Sequence, residues 1–345
     1  MKLGLTLGYW MAQPPPDALD KMLEAEKLGF DTVFTAEAWG SDAFTPLAWH
    51  GSQTSRIRLG TSIVQISART PASVAMHALT LDHLSGGRVV LGLGVSGPQV
   101  VEGWYGQPFG KPLARSREYV DIVRQVLKRE GPVTSTGPHY PLPYAGPNAL
   151  GLGKPLKPIV HPLRADVPIW LGAEGPKNIA MTAEIADGWL PIYFSPKVGD
   201  MYNGWLDEGF ARPGARGSRA TFEIATNCSV VVTDDVDSTL DAMKPTLGFY
   251  IGGMGARDMN FHKEVFSRMG YAAEADEIQD LFFAGERDKA IAAVPAQMAA
   301  DISLVGSAAK IRDDLAMWED AGVTMLVIGV GDVAEMRQVA EVILG

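Results

Sequence analysis

The chain has 345 residues, 46% of them hydrophobic, a composition typical of a globular protein with a large core. Its formal net charge of -10 at pH 7 disfavours nucleic acid and membrane surfaces as partners, because both repel an acidic protein. The single cysteine cannot form an internal disulfide, and no apolar run reaches the ~18 residues of a membrane-spanning helix. The N-terminus lacks the apolar core of a secretory signal, so we expect a cytoplasmic protein.

Short β-like runs alternate with helix-length segments along most of the chain. Leu3–Leu7 is the first predicted strand, and Pro14–Asp17 then opens a helix that ends at Gly29. The later strands are predicted over Thr32–Phe34, Ile57–Val64, Val89–Leu93, Pro168–Leu171, Trp189–Ile192, Phe222–Val232 and Val323–Val330. The later helices are predicted over Pro71–Leu84, Leu113–Lys128, Lys177–Ala186 and Val333–Leu344.

Three helix-to-strand junctions are alike: Leu28–Asp31, Ala186–Trp189 and Ala321–Thr324. In each of them a glycine is predicted to form a left-handed C-cap, after which the next strand begins at once. Eight strands in alternation with helices predict one closed parallel α/β barrel, a (β/α)8 TIM barrel spanning residues 1–345. A doubly wound open sheet is the alternative, but such sheets usually have fewer strands.

Two stretches do not fit the repeat. Residues 131–168 are rich in proline and glycine and too long for a plain connection, so they are predicted to form an ordered excursion over one end of the barrel. Residues from about 243 to 300 lie between the seventh and eighth strands and show helical patterns. We expect them to form a helical insertion that roofs the active site.

The active site of a barrel is built from the carboxyl ends of its strands. Glu37 follows the second strand, where it could accept a hydrogen bond from a cofactor ring or act as a base. The alternative is a structural hydrogen bond to backbone amides. Gly172–Lys177 is glycine-rich and leads into a helix, which suits a phosphate. Glu174 would compete with that phosphate unless it points outward, and the segment could also be only a tight turn.

Aromatic residues also follow the strands. Tyr9, Trp10, Trp39 and Tyr193 are predicted to wall a substrate pocket, because aromatic rings stack on flat cofactors and apolar substrates. The alternative is that they shield the end of the barrel. The histidines lack metal-ligand spacing and Gly94–Gly97 breaks the nucleophile-elbow pattern, so the sequence predicts neither a metal site nor a hydrolase triad.

Several segments together carry a resemblance to a known family: Gly29–Glu37, Arg58–Ile63, Ser85–Gly94, Gly172–Pro176, Ala186–Trp189, Val305–Ser307 and Ala321–Val323. In this order they resemble the luciferase-like monooxygenase superfamily, specifically its branch of oxidoreductases that use the deazaflavin coenzyme F420. Each segment alone is modest, but the set covers nearly the whole chain.

The resemblance implies a barrel enzyme that transfers a hydride between coenzyme F420 and an organic substrate. It implies that Glu37 approaches the coenzyme, and Glu37 and Trp39 are the catalytic candidates. It also implies that a cis peptide between Ser62 and Ile63 forms a bulge behind the deazaflavin. The coenzyme-binding candidates are Glu37, Ser62, Ile63, Gln65, Gly94, Val95 and, for the phosphate, Gly172, Ala173, Glu174, Gly175 and Pro176.

The sequence departs from the sugar-phosphate dehydrogenases of this branch, which carry a histidine after the acidic residue and a glutamate in the loop after the fourth strand. Ala38 and Gly97 occupy those positions here, so the acid–base pair is not carried over. We expect a lipid-like, steroid-like or aromatic alcohol, ketone or enone as the small-molecule substrate. Two alternatives remain: an FMN-dependent monooxygenase fed by a partner reductase, and a non-catalytic coenzyme-binding barrel. Family members often dimerise, so a homodimer is expected.

Overall fold

Parallel strands close into a barrel in the structure, a computed structural model that describes residues 1–8, 10–164 and 166–345. The barrel strands are β1 (Lys2–Thr6), β2 (Thr32–Thr35), β3 (Arg58–Thr61), β4 (Val64–Gln65), β5 (Val89–Gly94), β6 (Ile169–Leu171), β7 (Gly188–Trp189), β8 (Glu223–Asn227) and, numbered after two further strands outside the barrel, β11 (Met325–Ile328). They pair in the order β3, β2, β1, β11, β8, β7, β6, β5, and β5 pairs back to β3. Since β4 continues β3 after a short break, the predicted eight-stranded barrel is confirmed.

Helices follow the strands and pack around them. They are α1 (Ala18–Leu28), α2 (Phe44–Gly51), α3 (Pro71–Ser85), α4 (Pro98–Gly103), α5 (Pro112–Lys128), α6 (Pro176–Ile185), α7 (Gly199–Phe210), α8 (Val236–Gly253), α9 (Phe261–Phe266), α10 (Ala272–Phe283), α11 (Arg287–Ala292), α12 (Ala296–Ala300), α13 (Ala308–Asp320) and α14 (Val333–Leu344). The bounds of α14 are those predicted from the sequence. The predicted strands and other helices differ from the structure mostly by one or two residues at their ends, because chain ends of elements carry the weakest pattern.

The barrel has an inner and an outer apolar cluster, as strand alternation requires. Along β5, Val89 and Leu91 belong to the large cluster that includes the helices, whereas Val90 belongs to the cluster inside the barrel. The inner cluster also contains the large rings of Phe34 and Trp170. Because these side chains fill the interior, a ligand site is expected at an end of the barrel.

The predicted glycine caps are confirmed at two of the three junctions. Gly29 and Gly322 have φ values of 87° and 94°, in the left-handed region that favours glycine. The prediction is wrong at Gly188, which lies within β7, because α6 ends in an extended residue, Ala186. A Cβ at Gly188 would lie 2.7 Å from the Trp170 ring, so close packing rather than helix capping requires glycine there.

The predicted seventh strand, Phe222–Val232, is two strands. β8 belongs to the barrel, whereas β9 (Ser229–Val232) leaves it and pairs in parallel with β10 (Ser303–Gly306) in a separate two-stranded sheet. Cys228 lies buried between β8 and β9, and burial raises the pKa of its thiol. β9 is an apolar strand like those of the barrel, so the hydrophobic pattern alone does not show where the chain leaves the barrel.

The segment between β9 and β10 forms a helical unit that contains α8 to α12. This unit has its own apolar cluster, whose fully buried members include Ile251, Phe266 and Ile278. It begins at Val236, earlier than the predicted position near residue 243. Its first helices face the carboxyl ends of the barrel strands, where they contribute to the cavity described below.

The proline-rich excursion lies beside α5. No helix or longer strand occurs in residues 131–164 or 166–168, where the only pairing is the isolated bridge between Ser135 and Leu142. The Glu118 carboxylate of α5 accepts hydrogen bonds from the backbone N–H groups of His139 and Tyr140, at 2.9 and 3.1 Å. The excursion is therefore ordered by contacts to a helix of the barrel rather than by secondary structure of its own.

Glu26 ties α1 to the loop before β3. Its carboxylate accepts hydrogen bonds from the backbone N–H groups of Ser55, Arg56 and Ile57, at 2.8–3.1 Å. Burial by itself raises the pKa of Glu26, but these donors outweigh it and lower the pKa from 4.5 to about 2. The bound loop thus depends on the ionised carboxylate.

We expect Glu26→Gln to remove a pH-dependent part of the folding stability. Since the folded pKa is depressed, the carboxylate stabilises the fold above pH 4.5, and this contribution is lost as the pH falls toward about 2. Partial exposure limits the effect to about 1–2 kcal/mol at neutral pH. Urea unfolding at neutral and acidic pH measures it: the difference between wild type and variant should shrink on acidification. A difference that stays constant contradicts the assignment.

Candidate functional site

A cavity of about 780 Å³ opens at the carboxyl ends of the barrel strands. Its walls come from the loops after β2, β3, β5, β6 and β7 on one side and from the helical insertion on the other. Barrel enzymes carry their active sites at this end, and the volume lies within the range of cofactor and small-molecule sites.

The predicted catalytic and coenzyme-binding residues come together around this cavity. Four separate loops supply them: Glu37, Trp39, Ser62, Ile63, Gln65, Gly94, Val95, Gly172, Ala173, Glu174, Gly175 and Pro176. The peptide bond between Ser62 and Ile63 is cis, as the resemblance implies. The expectation that active-site residues follow the carboxyl ends of the strands therefore selected residues that the fold places at one site.

Two members of the predicted aromatic wall are not part of the lining of this cavity. Trp10 lines a separate small pocket with Pro15 and His50, because the chain after β1 turns toward α1 and α2. Tyr193 packs into the insertion, where its ring lies 4.9 Å from that of Phe266, and it does not line the cavity. Trp39 does line the cavity and is 54% exposed at its mouth. Tyr9 lies outside the described residues.

Glu37 is buried, and its carboxylate is held by other residues of the chain. Arg69 Nη1 lies 2.8 and 2.7 Å from the two carboxylate oxygens, and the backbone N–H of Gln65 donates to Oε1 at 3.0 Å. Charge-assisted hydrogen bonds of this kind occupy the lone pairs that a base would need. Glu37 therefore makes the structural hydrogen bond to a backbone amide that was the alternative to a functional role. It also forms an ion pair with Arg69 that the sequence did not predict. We assign Glu37 a positioning role in the cavity wall.

Gln65 presents an acceptor atom to the same wall. Its side-chain N–H donates to the backbone oxygen of Glu37 at 3.0 Å, which fixes the amide. Its Oε1 is buried and has no hydrogen-bond partner among the residues that the structure describes. A buried acceptor left unpaired costs about 1–3 kcal/mol, so a ligand that donates an N–H or O–H here gains affinity.

Glu174 points into the cavity and not outward. Its Oε1 lies 3.1 Å from Nδ1 of His262, which belongs to α9 of the insertion. Its Oε2 is buried and lacks a hydrogen-bond partner within the described chain. A carboxylate at this point repels an adjacent phosphate, so a phosphate bound to this loop would lie toward the start of α6, where the exposed Lys177 also lines the cavity.

The sequence did not predict which residues of the insertion line the cavity. These residues are Phe249, Tyr250, Gly253, Met254, Gly255, Phe261 and His262. The helical pattern of this segment predicts a roof, but helix spacing carries no information about which residues meet the barrel mouth. Most of these side chains are apolar or aromatic, so the cavity combines a few polar groups with a largely apolar surface.

Over the described ranges, no group of three or more His, Cys, Asp or Glu side chains is arranged to hold a metal ion. No helix in the described part of the chain is long and apolar enough to cross a membrane.

The comparisons with known proteins agree with the fold. The family described as luciferase-like monooxygenase matches residues 6–325. A Mycobacterium tuberculosis protein, named provisionally as a coenzyme F420-dependent oxidoreductase, is 61% identical over 343 residues, which cover 99% of each chain. A 5,10-methylenetetrahydromethanopterin reductase of Archaeoglobus fulgidus is 28% identical over 88% of this chain and 86% of its own.

Solved structures share the architecture. The coenzyme F420-dependent tetrahydromethanopterin reductase of Methanopyrus kandleri superimposes with a TM-score of 0.79 at 22% identity, covering 100% of this chain and 99% of its own. At this identity the likeness concerns the fold. The insertion and the barrel are therefore both parts of an architecture that occurs in other proteins.

Proposed function

This chain belongs to the luciferase-like monooxygenase family, and we propose that it is a coenzyme F420-dependent oxidoreductase acting on an apolar organic substrate. The observation that carries the proposal is the 61% identity, over 99% of both chains, to a relative named for that activity. Identity at this level over the full length means that the barrel, the insertion and the cavity between them correspond in the two proteins.

The residues around the cavity fit a flat ring that has a polar edge. Gln65 Oε1 is the buried acceptor that an N–H of the deazaflavin edge would satisfy. Gly94 and Gly172 lie beside Ile63, and because neither has a side chain, this wall leaves room for a flat ring. When bound, the deazaflavin supplies or accepts a hydride at its carbon 5. The role of these residues is to hold the ring and to fix its distance from the substrate.

The cavity mouth favours an apolar substrate. Trp39 and Phe249 line it and are 54% and 46% exposed, and Phe261 stacks on Phe109 with 6.4 Å between ring centroids. Exposed rings around a cavity are typical of sites that bind apolar ligands. The proposed substrates are therefore apolar ketones, enones or alcohols, in which hydride transfer changes the oxidation state at one carbon.

Titration of the purified protein with coenzyme F420, FMN and NADP tests the proposal. Quenching of tryptophan fluorescence should report binding of F420, because Trp39 lies at the cavity mouth. Stopped-flow oxidation of reduced F420 with a panel of cyclic and long-chain ketones then tests turnover. Tight binding of FMN in preference to F420, with oxygen consumption by the reduced flavin, would instead establish a monooxygenase. Binding of F420 without turnover of any ketone, enone or alcohol would identify a coenzyme-binding barrel.

We expect Gly172→Val to weaken F420 binding at least about tenfold, since a tenfold loss corresponds to only ~1.4 kcal/mol. A Cβ at this position already lies 3.4 Å from Ile63 Cγ2, so the two added methyl groups must project into the cavity or push on its wall. Fluorescence titration measures the change. Gly103→Val is the matched control, because nothing lies within 4 Å of a Cβ at that exposed position. Equal affinities in the two variants would place the coenzyme elsewhere.

A further inference from the structure

We propose that His262 is the proton donor and acceptor of the reaction and that Glu174 positions its ring. The inference rests on the proposed function, because hydride transfer to a carbonyl carbon leaves a negative oxygen that needs a proton. The acid–base residues of the related sugar-phosphate dehydrogenases are replaced here by Ala38 and Gly97, so this chain requires another group.

Few side chains around the cavity can exchange a proton near neutral pH. The titratable members of the described lining are Glu37, Glu174, Lys177, Tyr250 and His262. The Glu37 carboxylate already accepts hydrogen bonds from Arg69 and from the backbone N–H of Gln65. Amines and phenols as classes titrate far above neutrality, whereas imidazole is suited to proton transfer near pH 7. His262 is therefore the group in this lining whose chemistry matches the task.

The insertion holds His262 firmly. Asn260 caps α9: its Oδ1 accepts hydrogen bonds from the backbone N–H groups of His262 and Lys263 at 3.0 and 3.1 Å. The side-chain N–H of Asn260 also donates to the backbone oxygen of Ile251, at 2.7 Å, and so ties α9 to α8. The Tyr250 ring lies 5.0 Å from the imidazole. These contacts fix where the ring enters the cavity.

Glu174 meets the imidazole from the opposite wall. Its Oε1 lies 3.1 Å from Nδ1, and both side chains are 18% exposed, so the pair is largely shielded from solvent. Nδ1 is buried and its contact to Oε1 is not aligned as a hydrogen bond, so the carboxylate acts on the imidazole through its charge, and Nε2 is the nitrogen left to exchange a proton with a ligand. The second carboxylate oxygen is buried without a partner in the described chain, which leaves an acceptor beside the imidazole for a substrate hydroxyl.

The step balances as follows for carbonyl reduction. Bound reduced F420 would supply the hydride for the new C–H bond at the carbonyl carbon, and the π electrons of the C=O bond would move to the oxygen. The Nε2–H bond of the protonated His262 ring breaks, its electron pair stays on the ring, and the proton forms the O–H bond of the alcohol. Solvent then returns a proton to the imidazole. Alcohol oxidation is the reverse.

The first experiment needs no coenzyme. Diethylpyrocarbonate modifies accessible, unprotonated imidazole nitrogens, and peptide mass spectrometry gives a separate rate for each histidine. We expect His262 to react more slowly than His161, which is exposed in the excursion, but at a measurable rate, because His262 lines the open cavity. A His262 that does not react has no ring nitrogen open to a ligand, which overturns the proposal whatever the activity of the enzyme.

The second experiment is single-turnover oxidation of reduced F420 with the best ketone of the panel. His262→Ala should slow hydride transfer about 10²–10⁴-fold, and added imidazole should restore part of the rate. Glu174→Gln should slow it less and should not respond to imidazole. F420 affinity should not fall in either variant, and it should rise in Glu174→Gln if the phosphate lies beside this carboxylate, because the repulsion between them is removed. His161→Ala should be unaffected throughout. His262→Gln replaces the alanine variant if that one does not fold.

The outcomes separate the two proposals. Wild-type turnover in His262→Ala or His262→Gln overturns the role of His262 and leaves the proposed function intact. A lost rate that imidazole does not restore, accompanied by lost F420 affinity, shows a structural role and also overturns it. A wild-type protein that binds no F420 contradicts the proposed function itself, and one that binds F420 but reduces no ketone and oxidises no alcohol overturns the proton-transfer role.

Discussion

Replacing Gly92 with alanine is expected to prevent the barrel from forming a stable fold. A Cβ at this position of β5 would lie 1.8 Å from the backbone oxygen of Thr61 and 2.8 Å from Leu190 Cδ1. The Thr61 hydroxyl also donates to the Gly92 oxygen and accepts from its N–H, both at 2.8 Å. Added volume in a packed core costs about 1–3 kcal/mol when side chains can shift, and here backbone must move, so we expect a larger loss.

Soluble yield and urea unfolding measure the effect of Gly92→Ala. Gly204→Ala is the matched control, because this glycine lies within α7 and no atom lies within 4 Å of a Cβ there. The control should gain about 0.5–1 kcal/mol, since alanine favours a helix over glycine. A Gly92→Ala variant as stable as wild type would mean that β3 and β5 do not approach as closely as described.

The second large effect is expected at Arg69. Arg69→Ala removes the cation that pairs with Glu37, whose side chain is only 3% exposed. Loss of one partner of a buried ion pair typically costs about 3–5 kcal/mol, because the other charge stays buried without compensation. We expect a loss near the lower end, since the N–H of Gln65 still donates to the carboxylate. Chemical unfolding gives the free-energy difference.

Two variants distinguish a broken buried pair from a general loss of charge. The double variant Arg69→Ala with Glu37→Gln should recover part of the stability, because the neutral amide costs less to bury than the carboxylate. Lys289→Ala removes a cation from a surface pair with Glu286, whose side chains are 71% and 43% exposed, and it should change stability by less than about 0.5 kcal/mol. Equal losses in Arg69→Ala and the double variant would contradict a stabilising ion pair.

Sequence reasoning was most effective where a short local pattern has one physical solution. Alternating strands and helices predicted the barrel, and the strand-end rule collected Glu37, Gln65 and Gly172 from distant positions into one site. The helical period of α14 even gave its exact bounds. In each case the information lies within a few residues, and the topology of the barrel supplies the rest.

It failed where function depends on which distant residues meet. Arg69 lies 32 positions from Glu37, and His262 lies 88 positions from Glu174, so no spacing rule connects either pair. Tyr193 follows a strand, as the rule requires, yet its ring turns into the insertion. The exit of β9 from the barrel is hidden for the same reason, since an apolar strand pairs equally well with β10 or with a barrel neighbour.

The attachment of the insertion has a consequence for how such enzymes diversify. Its chain leaves along β9 and returns along β10, and these strands lie side by side with Ser229 opposite Ser303. Because the strands are parallel, the segment leaves after Val232 and returns at Ser303, one strand length away on the neighbouring strand, so segments of different length can join the same two strands while the barrel closes as before. The insertion also packs around a core of its own. Evolution can therefore change the cavity wall that the insertion supplies without changing the wall that the barrel supplies.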